Sequence, residues 1–258
     1  MFNLPSPKLG NVSAITITSP DLEKSLQYYQ KLGFQEVQRM DVPFPWLQVS
    51  DGALLIMLIR RDDPYIALTY YIDPSAIDTI AQTLEQQGIP FSLKAKASDI
   101  VKRYIFQTPD KQNISLVANM EDVFKQPPGP TMLRMEQADY TNPEKYINKI
   151  CGMFGEFAHP VTSLERSLDF WQKLGFIELS KFTSPYPWAI ISDGLNTVGL
   201  HQTDKFPSPA ITYFASDMQE KIQRLKNTGI EISQDMGPAN IVLRTPEGQQ
   251  INLFKLGM

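Results

Sequence analysis

Histidine and cysteine, whose side chains often act as bases, nucleophiles or transition-metal ligands, are scarce in this chain. The sequence contains two histidines, His159 and His201, and one cysteine, Cys151. A reactive cysteine needs a base or a cation in clear reach, and the sequence offers Cys151 neither, so we expect an inert thiol. The sequence also lacks a glycine-rich phosphate loop, a zinc-type cysteine pair and a serine–histidine–aspartate order. Chemistry that requires an imidazole must therefore use one of the two histidines.

Aromatic side chains form a second group of candidates. Trp46 and Trp188 each end a Pro-x-Pro-Trp segment, in which x is Phe44 and Tyr186, respectively. Together with Tyr213, these rings could stack on a planar ligand at the mouth of a cavity. Such residues are more often anchors of the core or of loops, and the sequence leaves both interpretations open.

These candidates are embedded in an internal repeat. Leu22 to Phe34 reads LEKSLQYYQKLGF and Leu164 to Phe176 reads LERSLDFWQKLGF, with nine of thirteen residues identical at an offset of 142. Apolar residues recur at helical spacing in each copy, and Gly33 and Gly175 supply the helix stop. The repeat predicts two similar halves, each with this helix at the same place.

Strand-like segments surround each repeated helix. The order strand, helix, strand, strand, strand occurs twice in each half, with turn residues between the segments. We predict an α+β fold of four βαβββ modules in two similar domains. The first domain spans residues 1–118, a connector spans 119–151 with a proline-rich break at 126–130, and the second domain spans 152–258.

Composition limits the partners of the chain. The net charge is −4 and no cluster of lysine and arginine occurs, which argues against a nucleic-acid or anionic-membrane surface. The longest apolar run, at 53–59, is too short to cross a bilayer. The first residues lack the basic-then-apolar pattern of a signal peptide, and a lone cysteine suits a reducing compartment. We expect a cytoplasmic protein.

The module order resembles the vicinal oxygen chelate superfamily, which includes glyoxalase I, bleomycin-resistance proteins, fosfomycin-resistance transferases and extradiol dioxygenases. The segment SPDLEKSLQYYQKLGF at 19–34 looks like its first module, and TPEGQQINLF at 245–254 looks like its closing segment. The resemblance implies that two modules wrap their sheets into a half-barrel. It also implies that metal ligands, when present, lie on the first and last strands of modules and point inward. It does not define a reaction, because such folds host many chemistries.

The first half has no credible metal ligands at the positions that the resemblance indicates. Only one of these residues, Tyr65, has even weak ligand chemistry, so we expect no metal in the first domain. The positions are occupied by Ala14, by Met57 or Ile59, by Tyr65 and by Ser115.

The second half has polar residues at the same positions, namely Glu156, His201, Ser208 and Asn252. Glu156 and His201 are ordinary ligands, and Asn252 would complete a three-residue site for a divalent metal. The two-histidine, one-glutamate set of extradiol dioxygenases is not matched, and neither is the four-ligand set of glyoxalase I. We therefore expect either this incomplete metal site or no metal at all.

Glu156 and His201 could also act without a metal. A glutamate that faces an apolar barrel is costly unless it is paired, and His201 could form a carboxylate–imidazole pair poised for proton abstraction. The alternatives are a merely structural polar tie, or a Glu156 that meets solvent or Arg244. His159 lies three residues after Glu156, so strand alternation should turn it toward the helix.

We therefore expect a protein that holds a small molecule in the second-domain cavity around the catalytic candidates Glu156 and His201. The alternative is a metal-dependent lyase or isomerase, or a dioxygenase-like enzyme, that uses the same two residues. The resemblance is compatible with a homodimer, and it leaves open whether modules pair within one chain or between chains. Expected ligand contacts are Trp188, Ser208, Tyr213, Arg244 and Asn252.

Overall fold

A computed structural model of the chain describes residues 3–42, 44–118 and 131–257, so the proline-rich break at 126–130 lies outside the described residues. The first half consists of β1 (Val12–Ser19), α1 (Leu22–Lys31), β2 (Gln35–Met40), β3 (Trp46–Ser50), β4 (Leu55–Arg60), β5 (Ile66–Ile72), α2 (Ile77–Gln86), β6 (Phe91–Leu93), β7 (Arg103–Gln107) and β8 (Asn113–Ala118).

The second half repeats this order after a short helix, α3 (Thr131–Arg134), and two turns of 3₁₀ helix. It consists of β9 (Met153–Pro160), α4 (Leu164–Lys173), β10 (Ile177–Phe182), β11 (Trp188–Ser192), β12 (Thr197–His201), β13 (Ala210–Ala215), α5 (Met218–Lys226), β14 (Ile232–Asp235), β15 (Asn240–Arg244) and β16 (Gln250–Lys255).

Each half forms one eight-stranded mixed sheet. The strand order is β2-β3-β4-β1-β5-β8-β7-β6 in the first domain and β10-β11-β12-β9-β13-β16-β15-β14 in the second. The first strands of two modules pair antiparallel at the centre, and each runs parallel to the last strand of its own module. Two modules therefore pair within each half of one chain, and the predicted α+β fold of four βαβββ modules in two similar domains is confirmed.

The repeated helices are positioned by their ends and by one apolar face. The Asp21 side chain accepts a hydrogen bond from the amide of Lys24 at the start of α1, and Ser163 does the same for Arg166 in α4. Gly33 and Gly175 follow the helices with φ of +87° and +95°, a conformation that suits glycine. The buried hydrophobic residues behind both helices belong to one continuous cluster that spans the two domains.

Reciprocal hydrogen bonds join the two domains. The hydroxyl of Tyr70 donates to Asp193 Oδ2 at 2.6 Å, and the hydroxyl of Tyr213 donates to Asp51 Oδ2 at 2.5 Å. Asp51 and Asp193 occupy the same place in the repeat, in the turn between the third and fourth strands of a module. Each tyrosine therefore anchors the turn of the opposite domain.

The segments that precede the first strand of each half cross to the other domain. We call residues 3–10 and 145–152 the lead-ins. The second lead-in contacts the first domain, where Asn148 donates to the carbonyl of Leu32 and to Asp51. The first lead-in passes so close to Gly194 of the second domain that a Cβ there would lie 2.0 Å from the Pro5 carbonyl oxygen. The exchange is therefore reciprocal.

His159 is buried against the helix side of the second sheet. It is 1% exposed and packs edge-on against Phe157 and Trp171. Neither ring nitrogen has a hydrogen-bond partner, and burial lowers the pKa of His159 from 6.5 to about 3. The imidazole is therefore neutral in the folded protein at every pH near neutrality.

This burial predicts acid sensitivity. Between pH 6.5 and about 3 the unfolded chain binds a proton that the folded chain excludes, so stability should fall as the pH drops. At pH 5 the loss from this group is about 2 kcal/mol. His159→Ile, which copies Ile17 at the matching place of the first domain, should remove that part of the pH dependence. Urea unfolding at pH 7.5 and pH 5 would show it, and equal pH dependence in both proteins would contradict it.

Candidate functional site

Glu156 and His201 form a hydrogen-bonded pair on the face of the second sheet that lies opposite the helices. Glu156 lies within β9 and His201 ends the adjacent parallel strand β12. The distance from His201 Nε2 to Glu156 Oε1 is 2.8 Å, and the two side chains are only 11% and 7% exposed. A carboxylate only accepts hydrogen bonds, so the tautomer of His201 that satisfies this contact is the one with the proton on Nε2.

Gly199 provides the space for this pair. It lies two residues before His201 on β12, so it presents the same face of the strand. A Cβ atom at Gly199 would lie 2.0 Å from Glu156 Oε2 and 2.7 Å from His201 Nε2. No side chain larger than hydrogen fits while the pair keeps its geometry.

Aromatic rings enclose the imidazole of His201. The Trp188 ring is stacked parallel to it with centroids 5.5 Å apart, and Phe182 is stacked on Trp188 at 4.2 Å. Tyr186 and Phe206 meet the imidazole edge-on. The Tyr186 hydroxyl lies 3.3 Å from His201 Nδ1. Both nitrogens of the imidazole therefore face a polar partner.

Two of the expected ligand contacts require correction. Tyr213 faces away from the pair, because the adjacent Thr212 is directly opposite Glu156 and successive side chains alternate between faces. Its hydroxyl is committed to Asp51. Ser208 lies on the loop before β13, so the position in register with Glu156 on this strand is Thr212.

The remaining expected residues lie on the strands beyond β13. Asn252 on β16 is directly opposite Thr212, and its amide nitrogen donates to the Thr212 hydroxyl at 3.2 Å. Its amide oxygen accepts from Gln250 at 3.0 Å. Arg244 is exposed at the end of β15 and donates to the carbonyl of Gly248, so it does not pair with Glu156.

The first domain carries an apolar set at the places of this pair. The offset of 142 aligns Glu156, Gly199 and His201 with Ala14, Met57 and Ile59. Here Met57 is in register with Thr16 on β1, and Ala14 and Met57 belong to one buried cluster with Trp46, Leu55 and Tyr71. The strand β5 residue in register with Ala14 is Thr69 rather than Tyr65.

One family model matches the first domain in sequence. The family model described as Glyoxalase/Bleomycin resistance protein/Dioxygenase superfamily matches residues 11–116, which run from the start of β1 into β8. The match therefore covers most of the first domain and less than half of the chain. No curated protein matches the chain in sequence.

The whole chain shares its fold with solved 2,3-dioxygenases. A variant of homoprotocatechuate 2,3-dioxygenase from Brevibacterium fuscum has a TM-score of 0.62 at 11% identity, covering 97% of this chain and 72% of that chain. The corresponding enzyme from Arthrobacter globiformis has a TM-score of 0.61 at 14% identity, covering 98% and 81%. The 2,3-dioxygenase LapB from a Pseudomonas species has a TM-score of 0.58 at 13% identity, covering 99% and 94%. At these identities the likeness shows the fold alone, and it covers both domains of the chain.

The donor set of the second domain does not fit the metal that members of this superfamily often bind. Within the described residues, no group of three or more His, Cys, Asp and Glu side chains is arranged to hold a metal ion. The candidate third ligand, Asn252, accepts through its amide oxygen from Gln250 on its own strand and donates through its amide nitrogen to Thr212 on β13. His201 Nε2 and Glu156 Oε1 are hydrogen-bonded to each other at 2.8 Å, so the two atoms face each other and not a shared cation position. Two ligands are fewer than the three that a catalytic site normally uses.

Two further features lie away from the pair. Cys151 is fully buried beside the carbonyl of Leu32, and burial raises the pKa of its thiol, so it is not a nucleophile. A cavity of about 30 Å³ lies between the two domains, next to Ala14, Phe157 and Thr197, and does not include the pair.

Phe206 and Thr212 were not predicted as site residues, whereas the alternation on β12 does place Gly199 on the same face as His201, where its small size leaves room. Thr212 could have been found from the repeat, since AITYF at 210–214 aligns with ALTYY at 67–71. Phe206 lies on the loop after β12, and no sequence pattern indicates which way a loop side chain points.

Proposed function

We propose that the chain binds a small molecule on the face of the second sheet that lies opposite the helices, around Glu156 and His201. The carboxylate–imidazole pair would supply hydrogen bonds to polar groups of the ligand. The adjacent rings of Trp188 and Tyr186 would supply apolar contact area.

The contrast between the two domains is the observation that carries this proposal. A buried acid and imidazole cost desolvation free energy that an apolar set of similar volume would avoid. The first domain folds on the same scaffold with Ala14, Met57 and Ile59 at these places. The pair is therefore not required by the fold, which supports a role in binding or chemistry.

A binding experiment tests the proposal. Small organic acids, amines, alcohols and phenols would be screened by ligand-induced thermal stabilisation, followed by titration of each hit. In Glu156→Gln we expect a hit to bind at least about tenfold more weakly, a loss of about 1.4 kcal/mol. Because glutamine is a near-isostere, the unfolding temperature without ligand should change little.

Glu178→Gln is the matched control, because it makes the same chemical change on an exposed strand of the same domain. It should leave the affinity unchanged. A ligand that binds wild type and Glu156→Gln equally would place binding elsewhere on the molecule.

The second candidate function is a metal-dependent lyase or isomerase, or a dioxygenase-like enzyme, that uses Glu156 and His201. The fold of the 2,3-dioxygenases favours it, whereas the donor set described above argues against it. Metal analysis of protein purified without chelator separates the two candidates. Stoichiometric iron, nickel, manganese or zinc that disappears in Glu156→Gln would support the enzyme.

No helix among the described residues is both long and apolar enough to cross a membrane. We further propose a cytoplasmic location, which the unpaired, buried Cys151 supports. A homodimer stays a proposal as well, and light scattering coupled to gel filtration would test it.

A further inference from the structure

We infer that Glu156, His201 and Tyr186 form one proton relay, and that a ligand meets the relay at the Tyr186 hydroxyl. The inference rests on the proposed function, because it names the group of that site that a ligand touches. The role of Tyr186 in the relay depends on its hydroxyl group and not on the face of its ring.

The hydrogen-bond directions follow from the chemistry of the three groups. The carboxylate of Glu156 accepts, so His201 Nε2, 2.8 Å away, must donate. In a neutral imidazole the other nitrogen, Nδ1, is then an acceptor. The Tyr186 hydroxyl lies 3.3 Å from Nδ1 and is the donor that faces it. The order carboxylate, imidazole, hydroxyl is the arrangement that activates a hydroxyl by an oriented base.

Exposure indicates which end of the relay a ligand can reach. The side chains of Glu156 and His201 are 7% and 11% exposed, whereas Tyr186 is half-buried and lies before β11, outside the sheet. The ammonium group of Lys205 lies 5.3 Å from the centre of the Tyr186 ring. A positive charge at this distance favours negative charge that develops on the phenol oxygen.

The relay lets the Tyr186 oxygen take a proton from a weakly acidic ligand. As the ligand proton moves to the phenol oxygen, the phenol proton moves to His201 Nδ1, and the imidazolium keeps its Nε2–H bond to Glu156. The ligand is left as an anion, and no other reactant is needed. Burial and the charge of Glu156 raise the pKa of Tyr186, so the phenol is protonated when no ligand is bound. The ligand class is therefore a weak acid with an O–H or an activated C–H group.

The comparison between the domains supports the three residues as a unit. The matching places in the first domain hold Ala14, Ile59 and Phe44. All three members are missing there together. If Tyr186 served only for packing, its hydroxyl would have no reason to occur in the same domain as the acid and the imidazole.

Two measurements on the free protein test the relay. The chain has only two histidines, so ¹⁵N-histidine labelling resolves His201, with the neutral His159 as an internal reference. We expect His201 as the Nε2–H tautomer with an unprotonated Nδ1. Tyr186→Phe should shift only the Nδ1 resonance, and Glu156→Gln should mix the tautomers, because an amide both donates and accepts.

The second measurement uses an aryl sulfonyl fluoride as the probe. Its sulfur bonds to the Tyr186 oxygen, fluoride leaves, and the phenol proton passes to His201 Nδ1. We expect Tyr186 to be labelled at least roughly tenfold faster than Tyr104, and His201→Gln to remove this advantage. Tyr104 is the matched control, because its half-buried hydroxyl donates to the carboxylate of Asp78, a poor base.

Either of two results would overturn the relay: an Nδ1–H tautomer of His201, or labelling of Tyr186 that does not depend on His201. Neither result would remove ligand binding at the pair, which the screen with Glu156→Gln tests separately. Conversely, a failed screen with an intact tautomer and fast labelling would overturn the binding proposal and leave the relay.

Discussion

Replacing Asp51 by alanine is expected to lower the free energy of unfolding by about 3–5 kcal/mol. Its carboxylate accepts hydrogen bonds from the amides of Ala53 and Leu54, from Asn148 Nδ2 and from the Tyr213 hydroxyl. All of these donors lie inside the protein, so Asp51→Ala would remove one buried hydrogen bond from each of them, and of the four only Asn148 Nδ2 has a second acceptor, the carbonyl of Leu32. The loss should appear as a lower urea midpoint with an unchanged slope.

Two further variants make this prediction specific. Asp193→Ala should have a similar effect, because Asp193 binds the amides of Leu195 and Asn196 and the Tyr70 hydroxyl. Asp62→Ala removes an exposed carboxylate and should change stability by less than about 0.5 kcal/mol. If Asp51→Ala were no more harmful than Asp62→Ala, the turns would not be the anchors between domains.

Gly199→Ala should cost about 2–4 kcal/mol and break the Glu156–His201 bond. Within a strand alanine is otherwise preferred over glycine, so backbone preference alone predicts a small gain. The new Cβ would lie 2.0 Å from Glu156 Oε2, so the carboxylate must leave its place. Urea unfolding measures the cost, and the ¹⁵N signals of His201 report the lost bond.

A double variant separates this contact from a general defect. Glu156→Ala combined with Gly199→Ala should recover most of the stability, because the carboxylate that the new Cβ meets is then absent and the first domain packs Ala14 and Met57 in one buried cluster at these places. The two changes should therefore be strongly non-additive. Additive costs would mean that Gly199 is needed for a reason other than the carboxylate.

The fold was largely predictable because short-range sequence patterns specify its helices and strands, and these patterns occur twice. The repeated helix with its glycine stop and the three strand-like segments after it are short-range signals, and the structure has them in the predicted order. The closeness of the strands that carry Glu156 and His201 was implied by the resemblance to vicinal oxygen chelate folds and not by this order.

The errors arose where local pattern carries no information. Five of the six residues of β13 are buried, so no polar alternation showed that Tyr213 faces the other domain. A register shift between Thr212 and Tyr213 further obscured which residue stands opposite Glu156. The bonds from Tyr70 to Asp193 and from Tyr213 to Asp51 join residues 123 and 162 positions apart, which no local pattern encodes.

Because the lead-ins cross, each half depends on the other half to cover part of its surface. A half cut off before residue 145 would keep its sheet and helices, but the surface at Gly33 and Asp51 would lose the segment that covers it. Two copies of one half could supply that cover to each other, since each lead-in reaches its neighbour and not its own domain. The full chain thus has the arrangement of a segment-exchanged dimer whose two similar halves are joined by a linker. Because the halves are parts of one chain, their sequences can differ. Only one of them carries the acid and the imidazole.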